Sequence, residues 1–165
     1  MASTPDHRPG PRAGNGSATL DDVSKAIIEQ LQEDGRRSYA AIGKQVGLSE
    51  AAVRQRVQRM VEAGVIQIVA VSDPLELGFA RQAMVGIGVE GPLEEIADQL
   101  AALDEVDYVV ITAGTFDILV EVVCSSDDEL LELLSQRVRT IPGVIRTETF
   151  VYLKLRKQTY SWGVR

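Results

Sequence analysis

Residues 49–60 read Ser49-Glu50-Ala51-Ala52-Val53-Arg54-Gln55-Arg56-Val57-Gln58-Arg59-Met60, and the rest of the chain is organised around them. Val53, Val57, Met60 and Val61 recur at i, i+4, i+7 and i+8, the apolar stripe of an amphipathic helix. Ser49 stands where an N-cap is wanted, and Gly64 follows where such a helix would end. The other faces carry Arg54, Gln55, Arg56, Gln58 and Arg59, with no acid between Glu50 and Glu62. Guanidinium and amide groups make paired hydrogen bonds to guanine and adenine edges, so this helix reads as one that enters a DNA major groove. The plainer alternative is a solvated charged face on an ordinary core helix.

The preceding residues favour the first reading. Thr19 is expected to cap a helix with Asp22 at its third position, carrying Leu20, Val23, Ile27, Ile28 and Leu31 inward and ending at Gly35. Ser38 caps a second helix with Tyr39, Ile42 and Val46 inward, and Gly47-Leu48 leads straight into Ser49. Three short helices with a tight glycine turn before the last form a helix-turn-helix, winged-helix-like domain over residues 19–66. Arg36, Arg37 and Ser38 are expected to touch phosphates and set orientation without reading sequence. Ser49, Arg54, Gln55, Arg56, Gln58 and Arg59 complete the candidate DNA-contacting set.

Beyond Gly64 the period changes from 3.6 to about 2. Val65 to Val71 reads as a strand, stopped by Ser72-Asp73-Pro74, with a hinge through Pro74 and Gly78, so residues 67–81 form a linker. Residues 82–156 then give a strand (Ala83–Val89), a helix opened by Pro92, and two strands (Val106–Thr112, Phe116–Val123) joined at Ala113-Gly114-Thr115. A helix capped by Ser126-Asp127-Asp128-Glu129 and a long strand (Val144–Leu155) complete it. The order β-α-β-β-α-β is that of a ferredoxin-like plait, so the whole chain is of the α+β class. The strands run Val109-Val110-Ile111 and Ile118-Leu119-Val120 without alternation. Continuous apolar runs imply burial on both faces. With only two helices available, a second copy of the sheet is the expected cover, giving a homodimer.

The chain has 165 residues, a net charge of −7 and a single cysteine, Cys124, so no internal disulfide can form. That charge is unevenly divided. Gly35 to Met60 holds six bases against Glu50 alone, net +5, while Gln82 to Leu153 holds three bases against fourteen acids, net −11. The first part attracts phosphate and the second repels it. His7, the lone histidine, lies in a Pro/Gly-rich stretch, which leaves no His-based triad or multi-His metal site. Residues 1–18 read as a disordered tail without the apolar core of a secretory signal, and residues 157–165 as a C-terminal tail. No apolar run approaches the roughly 18 residues of a membrane span, so a cytoplasmic protein without membrane contact or cofactor is expected.

These residues resemble the Lrp/AsnC family of transcriptional regulators. The resemblance is carried by Leu20-Asp21-Asp22, Gln32-Glu33-Asp34-Gly35-Arg36, Val46-Gly47-Leu48-Ser49, Gly64-Val65-Ile66 and Pro142-Gly143-Val144. It spans residues 19–155, and the plait corresponds to the family's RAM or Lrp-type ligand-binding domain. The resemblance implies binding to double-stranded DNA, dimers that assemble into tetramers or octamers, and a small effector, usually an amino acid. The family's ligand loop commonly reads Gly-Asp/Asn-x-Asp; here it is Gly114-Thr115-Phe116-Asp117. Ala113, Gly114, Thr115, Phe116 and Asp117 are therefore the candidate effector site. Backbone N–H groups of the turn would hold a carboxylate, and Asp117 an ammonium. Two other classes compete: an enzyme or its subunit, for which no activated nucleophile or phosphate loop is visible, and an amino-acid-binding module acting through protein contacts.

Overall fold

The computed structural model describes residues 20–159 together with 163 and 164. The tail at 1–18, the expected cap Thr19 and part of the C-terminal tail lie outside the described residues. The described residues divide into two compact units, residues 20–70 with 158, 159, 163 and 164, and residues 71–157.

The first unit contains α1 (Asp22–Glu33), α2 (Tyr39–Val46) and α3 (Glu50–Glu62). Each opens on a side-chain cap that satisfies a free N–H of the first turn. Asp21 accepts from Ser24 N at 2.8 Å, Ser38 from Ala41 N at 3.2 Å and Ser49 from Ala52 N at 3.2 Å. Asp21 is thus the observed cap of α1. Gly47 closes α2 at φ 71°, a left-handed conformation, and Leu48 N then donates to Gly43 O at 2.9 Å, which makes the turn into α3 tight. Ile27, Ile28, Ile42, Val53, Val57 and Met60 form the core, and Val164 from the far end of the chain packs against it. Three of the four stripe residues of α3 are buried; Val61 is exposed.

Residues 65–71, expected as a strand, are not one. Val65 N and Ile66 N both donate to Met60 O, at 2.8 and 3.4 Å, as a continuation of the helix end. Only Ile66 packs on the core, while Ile68, Val69 and Val71 are exposed. β-branched composition favours extended backbone, but a strand needs a neighbour to accept its ladder bonds. No described segment of the chain pairs with this one; all four strands of the sheet lie further on.

In the second unit Pro74 and Gly78 flank a 3-10 turn, Leu75–Leu77. There follow β1 (Arg81–Val89), α4 (Leu93–Ala101), β2 (Val106–Ile111), β3 (Ile118–Cys124), α5 (Asp127–Glu132) and β4 (Val144–Val151). A π-helical stretch, Leu133–Val138, carries α5 onward. The strands lie in the order β2-β3-β1-β4 with antiparallel neighbours, the plait expected from the element order. β4 ends at Val151 rather than Leu155: Tyr152 N still donates to Gln82 O at 2.8 Å, but Leu153 is 95% exposed.

Register assigns the two sheet faces. Val85 opposes Val120 and Val120 opposes Val109, so Ala83, Val85, Ile87, Ile118, Val120 and Val122 share one face. They pack with Ile96 and Leu100 of α4 and Leu133 and Val138 of the π-helical stretch. The opposite face carries Met84, Gly86, Val110, Leu119, Val123 and Phe150 together with the polar Gln82, Glu121, Arg146 and Glu148, and neither helix covers it.

Candidate nucleic-acid interface and hairpin-turn site

Burial of Val53, Val57 and Met60 fixes the rotation of α3, which leaves Glu50, Arg54, Gln55, Gln58 and Arg59 exposed. Arg54 Nη2 meets Glu50 Oε1 at 2.5 Å, and its guanidinium lies 5.4 Å from the ring centroid of Tyr39. Gln58 donates to Glu62 at 2.8 Å, and Arg59 Nε to Gln55 O at 3.4 Å.

Arg56 is placed differently from the other candidates on this helix. Its Nη1 donates to Asp21 Oδ2 at 2.7 Å and to the buried Ser24 hydroxyl at 3.1 Å, and its side chain is 29% exposed. It ties α3 to the first turn of α1. Hydrogen bonds from Ser24, then from Arg56, lower the Asp21 carboxyl from 3.8 to about 2, so this carboxylate is ionised throughout the neutral range. Before α2, the Arg36 side chain is 97% exposed. Arg37 is held by Gln30 and by Glu33, the latter at 3.0 Å. Ser38 and Ser49 use their hydroxyls as caps.

The hairpin between β2 and β3 is tied down at Asp117. Its backbone N–H donates to Ile87 O at 3.0 Å, and its carbonyl accepts from Thr112 N at 2.8 Å. Its carboxylate Oδ2 accepts from Val89 N at 2.9 Å. The pairing of β1 with β4 shifts register between Gly88 and Val89, and this carboxylate supplies Val89 N–H with an acceptor there. Ala113, Gly114 and Thr115 are exposed at the tip. Thr112 Oγ1 donates to Phe116 O at 2.5 Å.

Phe116 turns back across the open sheet face. A Cβ at Gly86 would stand 2.6–2.8 Å from three atoms of its ring, so a glycine in β1 makes room for it. Arg146 of β4 covers the ring, its guanidinium carbon 5.1 Å from the centroid, and donates to Thr115 O at 2.5 Å. Phe150 meets Phe116 edge-on at 6.2 Å. Gly86, Arg146 and Phe150 are absent from the sequence-derived site. Glycine within a strand was the visible signal, but its partner lies thirty residues away. Burial pushes the Cys124 thiol up to about 11, and no described cluster of His, Cys, Asp or Glu could hold a metal ion. No described helix is long and apolar enough to cross a membrane.

Known proteins match both units. Residues 20–61 match the AsnC-type helix-turn-helix domain, and residues 79–165 a C-terminal dimeric alpha+beta barrel domain. An uncharacterised HTH-type transcriptional regulator of Pyrococcus furiosus is 38% identical over 144 residues, 86% of this chain and 97% of that protein. The regulatory protein AsnC of Escherichia coli is 30% identical over 138 residues, 82% of this chain and 91% of AsnC. The structure of Escherichia coli AsnC superposes with a TM-score of 0.74 at 29% identity, covering 86% of this chain and 97% of that one. A transcriptional regulator of Neisseria meningitidis in complex with L-Met shares the fold at a TM-score of 0.75 and 22% identity, covering 89% and 97%. These relatives are named as regulators, and their family is not enzymatic. The chain belongs to the Lrp/AsnC family of transcriptional regulators, with an AsnC-type helix-turn-helix and a dimeric C-terminal domain.

Proposed function

We propose that this regulator reads double-stranded DNA with α3 in the major groove, and that a small effector of the amino-acid class adjusts its assembly or DNA affinity. The observation that carries the DNA part is the outward face of α3, where Arg54, Gln55, Gln58 and Arg59 stand together in solvent. Arg36, Arg37, Ser38 and Ser49 lie at the N-terminal ends of α2 and α3, where free N–H groups also attract phosphate. Arg56 we assign to holding α3 against α1, one step behind the groove. Such a protein would act on the chromosome in the cytoplasm.

Gel shift with the upstream region of its own gene tests the reading. Wild type should retain that site against competitor DNA and weaken steeply with salt. An Arg54→Ala, Gln55→Ala, Arg59→Ala triple variant should lose specific retention, since each base contact is worth about 1–3 kcal/mol. Unchanged retention would remove α3 from the interface.

The effector is assigned to residues 113–117. One oxygen of Asp117 is taken by Val89 N–H, which leaves the other for an ammonium group, while the exposed turn of Ala113, Gly114 and Thr115 offers backbone N–H groups to a carboxylate. The Neisseria regulator bound to L-Met is a precedent for the ligand class. Thr115 brings a single hydroxyl where the family's loop commonly brings an acid or amide, so a small or apolar side chain is expected to bind better than lysine or arginine. A melting-temperature screen of the twenty amino acids should show that order, and Asp117→Ala should abolish the shift while ligand-free DNA binding persists. No shift with any of them would leave the turn purely structural. The dimers are proposed to form through the open sheet face and to assemble further into tetramers or octamers.

A further inference from the structure

Glu50 is the first residue of α3, and the only acid on its outward face before Glu62. The N-terminal residues of a recognition helix are those that meet base edges. An acid at that end repels phosphate and so lowers affinity for every sequence alike. Such a charge is consistent with selection between sequences, where repulsion discriminates as well as attraction.

The surrounding geometry gives it a specific partner. Arg54, one turn on, is gripped by Glu50 Oε1 at 2.5 Å and backed by the Tyr39 ring of α2 at 5.4 Å. Two groups from two helices thus hold the guanidinium, although both Glu50 and Arg54 side chains remain half or more exposed, at 50% and 61%. A single N–H of the five is spent on Glu50, which leaves a fork free, and the second oxygen of Glu50 accepts no bond among the described residues.

We infer that Glu50 and Arg54 act as one reading unit for a G·C pair of fixed orientation. Arg54 donates to guanine O6 and N7, and Glu50 accepts from the N4 amine of the paired cytosine. Reversing the pair sets guanine O6 and N7, both acceptors, against the carboxylate. Glu50 is then a specificity-determining residue. The inference rests on the docking of α3 in the groove proposed above.

Selection of bound sequences from a random double-stranded library, using the full chain at one salt concentration, tests it. Wild type should enrich a motif with one oriented G·C pair in each half-site. Arg54→Ala and Glu50→Ala should both lose preference at that same pair, by about tenfold or more, and keep the remaining positions. Glu50→Gln retains an acceptor and should keep part of the preference. Glu50→Ala should also bind unrelated DNA more tightly. The inference is overturned if Glu50→Ala keeps the whole motif and merely binds all sequences better, or if the position it loses is not the one Arg54→Ala loses. A wild type that enriches no motif defeats the groove reading itself, an outcome distinct from a motif indifferent to Glu50. Ser49 caps the helix independently of Glu50, so each variant is expected to stay folded, with only a small fall in melting temperature from the lost Glu50–Arg54 and Arg54–Tyr39 contacts.

Discussion

Val120→Lys is expected to abolish folding of the C-terminal unit, whereas Val110→Lys should leave the unit folded and separate its copies. The two valines sit on adjacent strands with opposite orientations. Val120 is fully buried at the centre of β3, cross-strand from Val85 and Val109 and packed under both helices. An ammonium there has no partner and no water, a penalty of several kcal/mol that approaches the roughly 5–15 kcal/mol stability of a domain. Val110 opposes Leu119 on the other face, beside the surface formed by Met84, Val123 and Phe150. A single chain can solvate a lysine ammonium at that position; a dimer closed over that face cannot. The unit is strongly acidic, so an added cation reduces the size of its net charge, and dissociation could not be blamed on like-charge repulsion. Circular dichroism and sedimentation at micromolar concentration measure both. A folded, monomeric Val110→Lys variant is the expected result, and a wild-type-like dimer would move the interface off the open face.

Features governed by neighbouring residues were legible in the sequence. Helix periodicity, the Ser38, Ser49 and Ser126 caps, Gly47, and the βαββαβ order all depend on residues a few positions apart, and all appear in the structure. The capping box at α5 is close to expectation: Ser126 accepts from Glu129 N at 3.1 Å, while the Glu129 carboxylate reaches Ser125 instead. Long-range relations were not legible. Asp21 caps α1 while its second oxygen receives Arg56 from thirty-five residues away, so one carboxylate serves two ends. The same bond moves Arg56 away from the outward face, which no count of arginines on a helical wheel could show. Val65 to Val71 has strand composition, yet whether it pairs depends on an edge that local pattern cannot supply. In the hairpin, Gly and Asp were visible, but the register shift at Gly88/Val89 that engages the Asp117 carboxylate was not.

Gly86→Ala should change sign with the residue that covers it. In the wild type the new methyl would meet Phe116 ring atoms at 2.6–2.8 Å, contacts no relaxed structure keeps. The ring must shift, and with it go the stacking of Arg146 and the edge contact with Phe150. Overpacking of this kind costs about 1–3 kcal/mol. With Phe116→Ala already in place, the obstruction is gone. Gly86 is not at positive φ, so alanine fits its strand backbone. What then remains is the smaller conformational entropy that alanine loses on folding, worth roughly 0.5–1 kcal/mol in its favour. The substitution is therefore destabilising in one background and neutral or stabilising in the other. Thermal melting of the four proteins at equal concentration, so that dimer linkage is held constant, measures the cycle. Equal costs in both backgrounds would mean that Gly86 is needed for the close approach of something other than Phe116, and a second copy lying on the open face would be the first group to examine.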